Sequence, residues 1–180
     1  MIIYLGMIGW CTTPDDAWKH NTLRQCGEPV MAKPREYSML KLSLDIDDTI
    51  TVDPDFFAMV SRGVHACGGE VHVVSSRSRE AMKQTRSEID AYGIVYSSIF
   101  LLPSLREAQV LCPHRDLDWY QKHLWLKIGY ALANEISHAV DDDQRVLSLF
   151  KRYALGVRTI HVDDRLRLLD ILNVRTDDIE

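Results

Sequence analysis

Leu42-Ser43-Leu44-Asp45-Ile46-Asp47-Asp48-Thr49-Ile50-Thr51 begins as apolar residues alternating along a strand and ends in three carboxylates and two hydroxyls. Strand side chains repeat every two residues, so Asp45 and Asp47 leave the strand's end toward the same side. That much negative charge in one place is costly unless a cation or a proton neutralises it. The reading of the fold therefore depends on what the rest of the chain brings to this strand end.

Outward from this stretch the pattern alternates between strand and helix. Strands are expected over residues 40–45, 71–75, 97–102, 138–140 and 158–162, each a short run of aliphatic or β-branched residues. Between them, helices are expected over 54–66, with Phe56, Phe57, Val60 and Val64 at helical spacing, and over 79–92, 118–136 and 144–155. Gly68-Gly69, Gly93 and Gly156 close three of these helices. Such alternation implies an α/β fold: a Rossmann-like three-layer sandwich with a central parallel sheet of about five strands. Ligands of such sheets bind beyond the carboxyl ends of the strands. Asp45 and Asp47, Ser75 and Ser76, and Asp141 and Asp142 all follow predicted strands, so all are expected at one edge of the sheet.

The flanks carry less information. Residues 1–38 show little periodicity and are interrupted by Pro14, Pro29 and Pro34. They are expected to be an N-terminal arm or a mis-assigned start, with Met31 or Met39 the true one. The expected catalytic domain covers 39–165. Residues 166–180 form an acidic tail with one amphipathic stretch at 166–172.

Composition narrows the class. The chain has 180 residues, 46% of them apolar, which suffices for one domain with a substantial core. A formal charge of -5 argues against a protein that coats polyanions. Cys11, Cys26, Cys67 and Cys112 form no C-x-x-C pair and no zinc-like spacing, so they read as reduced thiols in a cytoplasmic protein. No apolar run approaches the ~20 residues that span a bilayer. The apolar start, Met1 to Trp10, lacks the basic residues of a secretory signal. No G-x-x-x-x-G-K-[ST] stretch is present.

Four elements bear on chemistry, and each alone has a plain structural explanation. Aspartates at strand ends cap helices or make turns; the hydroxyl in Val73-Val74-Ser75-Ser76-Arg77 suits a helix N-cap. Lys122 and Lys127 on the long helix suit a solvated face, and Asp141-Asp142-Asp143 suits an acidic helix start. In this order, at these strand ends, the set resembles the haloacid dehalogenase (HAD) superfamily of phosphohydrolases. That family shows a strand ending in D-x-D-x-T, a strand ending in Thr or Ser, a lysine, and a strand ending in an acidic pair. The resemblance spans residues 40–162 and implies an HAD-type sheet.

The resemblance also implies roles. Asp45 is the nucleophile that forms an aspartyl-phosphate, and Asp47 the acid/base that protonates the leaving oxygen and then activates water. Ser75 binds the transferring phosphoryl oxygens, and a lysine neutralises charge around them. Asp45, the Asp47 carbonyl, Asp141 and Asp142 hold Mg²⁺, whose preference for oxygen ligands suits them. Two departures stand out: Asp48 where many members have glycine, and Ser75-Ser76-Arg77 where T-G-R is common.

Lys122 lies 19 residues before Asp141, and Asp118 lies four before Lys122. This local layout is similar to the 3′-phosphatase domain of phage polynucleotide kinase. The likeness implies Lys122, in preference to Lys127, as the motif lysine. It also implies that Asp118 orients it and that Ser76 and Arg77 contact the substrate phosphate. Neither the interval between Asp45 and Ser75 nor residues 103–116 can house a full cap domain. Capless relatives take larger substrates or borrow a lid from a second copy of the chain. Trp119, Tyr120, Trp125 and Tyr130 suit either base stacking or a buried helix face, with Trp125 assigned to the core.

The expectation is therefore a Mg²⁺-dependent phosphatase acting on a nucleotide or a nucleic-acid phosphate end. A 5′-nucleotidase or small-metabolite phosphatase is the alternative within enzymes. A non-catalytic Mg²⁺- or phosphate-binding regulatory module is the alternative outside them.

Overall fold

Five short strands, β1 (Lys41–Leu44), β2 (Glu70–Ser75), β3 (Ser98–Leu101), β4 (His138–Asp141) and β5 (Arg158–His161), form one parallel sheet in the order β3-β2-β1-β4-β5. A computed structural model of the chain describes residues 39–176. The arm expected over 1–38 lies outside the described residues, as do Cys11 and Cys26. Among the described residues six α-helices accompany the sheet: α1 (Pro54–Ala66), α2 (Met82–Ala91), α3 (Leu105–Leu111), α4 (Trp119–Ala133), α5 (Gln144–Tyr153) and α6 (Arg167–Thr176).

The sheet side chains alternate between two helical layers. Leu42, Leu44, Val73 and Val140 pack with Phe57, Val60 and Val64 of α1, Ile89 of α2 and Leu168 of α6. On the other face Ala139 packs with Leu124, Ile128 and Ala131 of α4 and with Val146, Leu149 and Phe150 of α5. Ala108 of α3 joins that layer through Leu102 and Leu126. The result is the Rossmann-like three-layer sandwich. Burying each large apolar side chain contributes about 1.5–3 kcal/mol, and this supplies most of what holds the layers together.

Strand order reverses at β1, since β2 and β3 lie on one side of it and β4 and β5 on the other. The crevice beyond the ends of β1 and β4 is thus the topological switch point, where open α/β sheets bind ligands. Register fixes what meets there: Leu44 pairs with Val140, so Asp45 and Asp141 end adjacent strands side by side.

Local chemistry sets the element boundaries. Asp53 caps α1 by accepting from the Phe56 N–H at 3.2 Å, and Pro54 occupies the first helical turn. α1 ends in a Schellman motif: Gly68, at φ 72°, donates to His65 O, and Gly69 donates to Val64 O at 2.8 Å. A Cβ on Gly69 would stand 2.6 Å from the Leu40 carbonyl oxygen and 2.8 Å from Val64 Cγ1. Because one of these neighbours is backbone, Gly69→Ala is expected to destabilise by about 1–3 kcal/mol, read as a lowered urea midpoint with unchanged slope.

Two helices lie outside the expected set. Residues 103–116 contain α3, which forms on a capping box. Ser104 Oγ accepts from the Glu107 N–H, and Glu107 Oε2 accepts from the Ser104 N–H at 2.8 Å. The acidic tail contains α6, whose Leu168 is buried and whose Ile171 and Leu172 pack against the α1 layer. The packed fold therefore continues past residue 165. The other interval, between β1 and β2, holds one 3₁₀ turn (Ile50–Val52) and α1. No helix among the described residues is long and apolar enough to cross a membrane.

Candidate functional site

Asp45 follows β1 directly and is held at the sheet edge by its own N–H, which donates to Val140 O at 3.1 Å. Its side chain turns toward the layer of α4, as alternation along β1 requires. There Lys127 Nζ donates at 2.7 Å to Asp45 Oδ1 and at 2.7 Å to Asp141 Oδ2. All three are buried, with Asp45 6%, Lys127 4% and Asp141 3% exposed. Thr49, also buried, donates from Oγ1 to Asp142 Oδ1 at 3.3 Å and ties the loop after β1 to the end of β4. His161 Nε2 donates to the Asp142 carbonyl at 2.9 Å, while Nδ1 accepts from the Asp163 N–H at 3.3 Å.

The lysine between these carboxylates is Lys127, which corrects the preference for Lys122. Five helical residues turn the side chain by about 140°, so the two lysines cannot serve the same face. The buried face of α4 comprises His123, Leu124, Leu126, Lys127, Ile128 and Ala131. Asp118 is likewise not an orienting partner. It is the N-cap of α4, exposed, accepting from the N–H groups of Tyr120 and Gln121 at 2.9 and 2.7 Å. Its carboxylate is spent on the helix end, and the N-cap is not yet on a helical face.

The remaining expected residues lie at the same sheet edge. Ser75 ends β2, fully buried, and its Oγ accepts from the Arg77 N–H at 3.3 Å. Ser76 is exposed. Asp47 stands at the rim with its side chain 56% exposed. Arg77 reaches it with Nε at 2.9 Å and also with Nη2. Asp48 takes φ 54°, a left-handed conformation that glycine adopts most freely and aspartate tolerates. The turn is closed by Thr51 Oγ1, which accepts from the Asp48 N–H at 2.9 Å.

Electrostatics mark the centre as short of positive charge. Burial pushes the Asp45 carboxyl up from its ordinary 3.8 to about 7, with Lys127 opposing the rise and Asp141 adding to it. Burial likewise raises Asp141, again against the pull of Lys127. Burial works against the Lys127 ammonium too, but the two carboxylates outweigh it and hold it above its ordinary range. The asymmetry follows from the count: one ammonium faces two carboxylates, so the lysine is compensated and the carboxylates are not.

A cation would meet the deficit. Oxygen atoms of Asp45, Asp141 and Asp142 lie within 4.8 Å of one another, a spacing that could hold a metal ion. An all-oxygen set of this kind suits hard cations.

A pH dependence follows. A folded-state pKa of about 7 against 3.8 means that the folded form binds the Asp45 proton more tightly than the unfolded one. That contribution to stability is complete below about pH 4 and disappears as pH rises through about 7. In chelator, Tm is expected to fall by on the order of 5 °C across that window. The fall should be shallower in Asp45→Asn, and a divalent cation added at pH 7.5 should reverse it in the unsubstituted protein. Calorimetry across pH reads all three.

The aromatic residues divide between surface and core. Trp119 is 61% exposed, whereas Tyr130 stacks on Phe100 at 4.4 Å and its OH meets Ser98 Oγ at 2.6 Å. Tyr120 and Trp125 pack against the α4–α5 layer. Sequence reasoning missed Thr49 and His161 as supports of Asp142, and Glu88 as a partner of Arg77. The first lies inside the D-x-D-x-T stretch; the other two carry no local signal, since only tertiary packing brings them in.

No protein-family model matches the chain, and no curated protein matches it. Among solved structures, an uncharacterized protein from Corynebacterium glutamicum is similar at TM-score 0.50 and 12% identity, over 76% of this chain and 96% of that one. A chain of the Pnkp1/Rnl/Hen1 RNA repair complex is similar at TM-score 0.50 and 16% identity, over 75% of this chain. The match spans 46% of that second chain, so this protein corresponds to less than half its length. At these identities the likeness is one of fold.

Proposed function

We propose that the protein is a Mg²⁺-dependent phosphatase of the haloacid dehalogenase type, hydrolysing a phosphate monoester through an aspartyl-phosphate on Asp45. The observation that carries this reading is the placement of Asp45. It is a buried carboxylate bridged to Asp141 by Lys127, with Asp142 beside it and Asp47 at the rim two residues on. The order of motifs along the chain supports the family assignment.

In this reading Asp45 attacks phosphorus and the bond to the leaving oxygen breaks. Asp47 gives that oxygen its proton and afterwards takes one from the water that frees phosphate from Asp45. Lys127 keeps Asp45 in place and offsets charge during both displacements. Ser75 binds phosphoryl oxygens through its hydroxyl, with nearby backbone N–H groups. Mg²⁺, held by Asp45, Asp141, Asp142 and the Asp47 carbonyl, would screen the negative charge of nucleophile and substrate.

The substrate end proposed is a nucleotide or a nucleic-acid phosphate terminus. In its support, the Asp47 side chain is largely exposed at the rim, and Trp119 offers an exposed ring on which a base can stack. A second copy of the chain would supply any lid.

A phosphatase panel in Mg²⁺ tests the proposal, comprising p-nitrophenyl phosphate, 5′- and 3′-mononucleotides and a 3′-phosphorylated oligonucleotide. Release from at least one substrate, abolished by chelator, is expected. Preference for 5′-mononucleotides would favour a nucleotidase. Absence of release from every substrate, together with retained Mg²⁺ binding, would favour a regulatory module.

A further inference from the structure

Arg77 is held by two carboxylates from different parts of the fold. Its Nε and Nη2 edge faces Asp47, on the loop after β1. Its Nη1 donates to Glu88 Oε2 at 2.6 Å, and Nη2 also reaches Glu88 Oε1 at 3.3 Å. A guanidinium presents two such planar forks, and each fits a carboxylate or a phosphate. Here they differ in setting. Asp47 is the more exposed partner, at the rim, whereas Glu88 sits on α2 with its side chain 27% exposed. Glu88 is itself anchored, because Tyr92 OH, one turn along, donates to its Oε1 at 3.1 Å. The Arg77 hydrogen bond holds the Glu88 carboxyl below its ordinary range.

We propose that Glu88 is a positioning residue that aims the outer fork of Arg77 at the substrate phosphate, with Tyr92 fixing Glu88 in turn. This rests on the phosphatase reading of the site. Asp47 occupies the outer fork in the structure, and an arriving phosphate competes with it there. The inner fork stays on Glu88 throughout, so the guanidinium keeps its plane and direction during the exchange. Arginine carries large rotamer freedom, and ordering it before substrate arrives removes that cost from binding. Glu88 touches no reacting atom. Its effect passes through Arg77 and appears in phosphate affinity and KM, with kcat little changed.

The test is a double-mutant cycle on the full chain with Mg²⁺ present, read in two ways. Calorimetry gives the affinity for inorganic phosphate, and p-nitrophenyl phosphate kinetics gives KM and kcat. Glu88→Gln is expected to weaken phosphate about 5–10-fold and to raise KM by the same factor, with kcat within about 2-fold. In the Arg77→Ala background the same substitution is expected to change neither. Tyr92→Phe should act in the same direction, by about 2–3-fold, and serves as the readout if Glu88→Gln does not fold. An unchanged phosphate affinity in Glu88→Gln, or a penalty that persists without Arg77, overturns the proposal. Phosphate binding with this coupling but no turnover would sink the phosphatase reading and leave the positioning role standing. Turnover without the coupling does the reverse.

Discussion

Lys127→Met is expected to cost about 3–5 kcal/mol of stability at neutral pH and to remove turnover, while Lys122→Met changes stability by less than about 0.5 kcal/mol. The contrast comes from burial. Lys127 is the ammonium shared by Asp45 and Asp141, and all three side chains are nearly inaccessible to water. Its removal leaves two buried carboxylates with no protein cation, which the fold relieves only by taking up protons or binding metal. The loss should therefore shrink at pH 5 and on addition of a divalent cation. Urea titrations of both variants at pH 5 and pH 7.5, with and without Mg²⁺, measure each part. Equal losses from the two lysines would mean that the bridge does not govern the site.

Asp45→Asn has the opposite sign for stability and a comparable loss of activity. An amide keeps the size of the carboxylate and removes the charge that burial penalises. In chelator at pH 7.5 the variant is expected to be at least as stable as the unsubstituted protein. Its turnover should fall by about 10⁴-fold or more, because an amide oxygen is not a nucleophile toward phosphorus. Stability gained where activity is lost is the signature of a group kept charged in the interior for its chemistry. A variant that is both inactive and unfolded would point instead to a purely structural aspartate.

How much of this was legible in the sequence differs by element. The five strands and the helices α1, α2, α4 and α5 follow from period and punctuation, because apolar runs and closing glycines are local properties. The sheet edge that gathers Asp45, Ser75 and Asp141 follows from the rule for parallel sheets, with no contact known in advance. Lys127 did not follow. Spacing to Asp141 and the apparent pairing with Asp118 favoured Lys122, but the choice depends on which side of α4 meets the sheet. Leu124, Ile128 and Ala131 mark that side, and Lys127 lies next to Ile128 on it. Asp118 misled for a related reason: Asp118-x-x-Gln121 is a capping box and places the helix start at Trp119. The α3 helix carries the same kind of signal, Ser104-x-x-Glu107. Glu88 had no such signal. On sequence it is one polar residue of a polar helix, and only the fold brings it to Arg77.

If Asp45 is the nucleophile, a covalent phosphoryl intermediate forms on it and can be measured directly. A substrate that turns over, labelled in its phosphoryl group, is mixed with the protein and Mg²⁺, quenched in acid within one turnover, and digested. Label is expected on the peptide carrying residues 42–51, located at Asp45 by fragmentation and absent from Asp45→Asn. Turnover with no label on that peptide, or turnover retained in Asp45→Asn, would rule out Asp45 as the nucleophile.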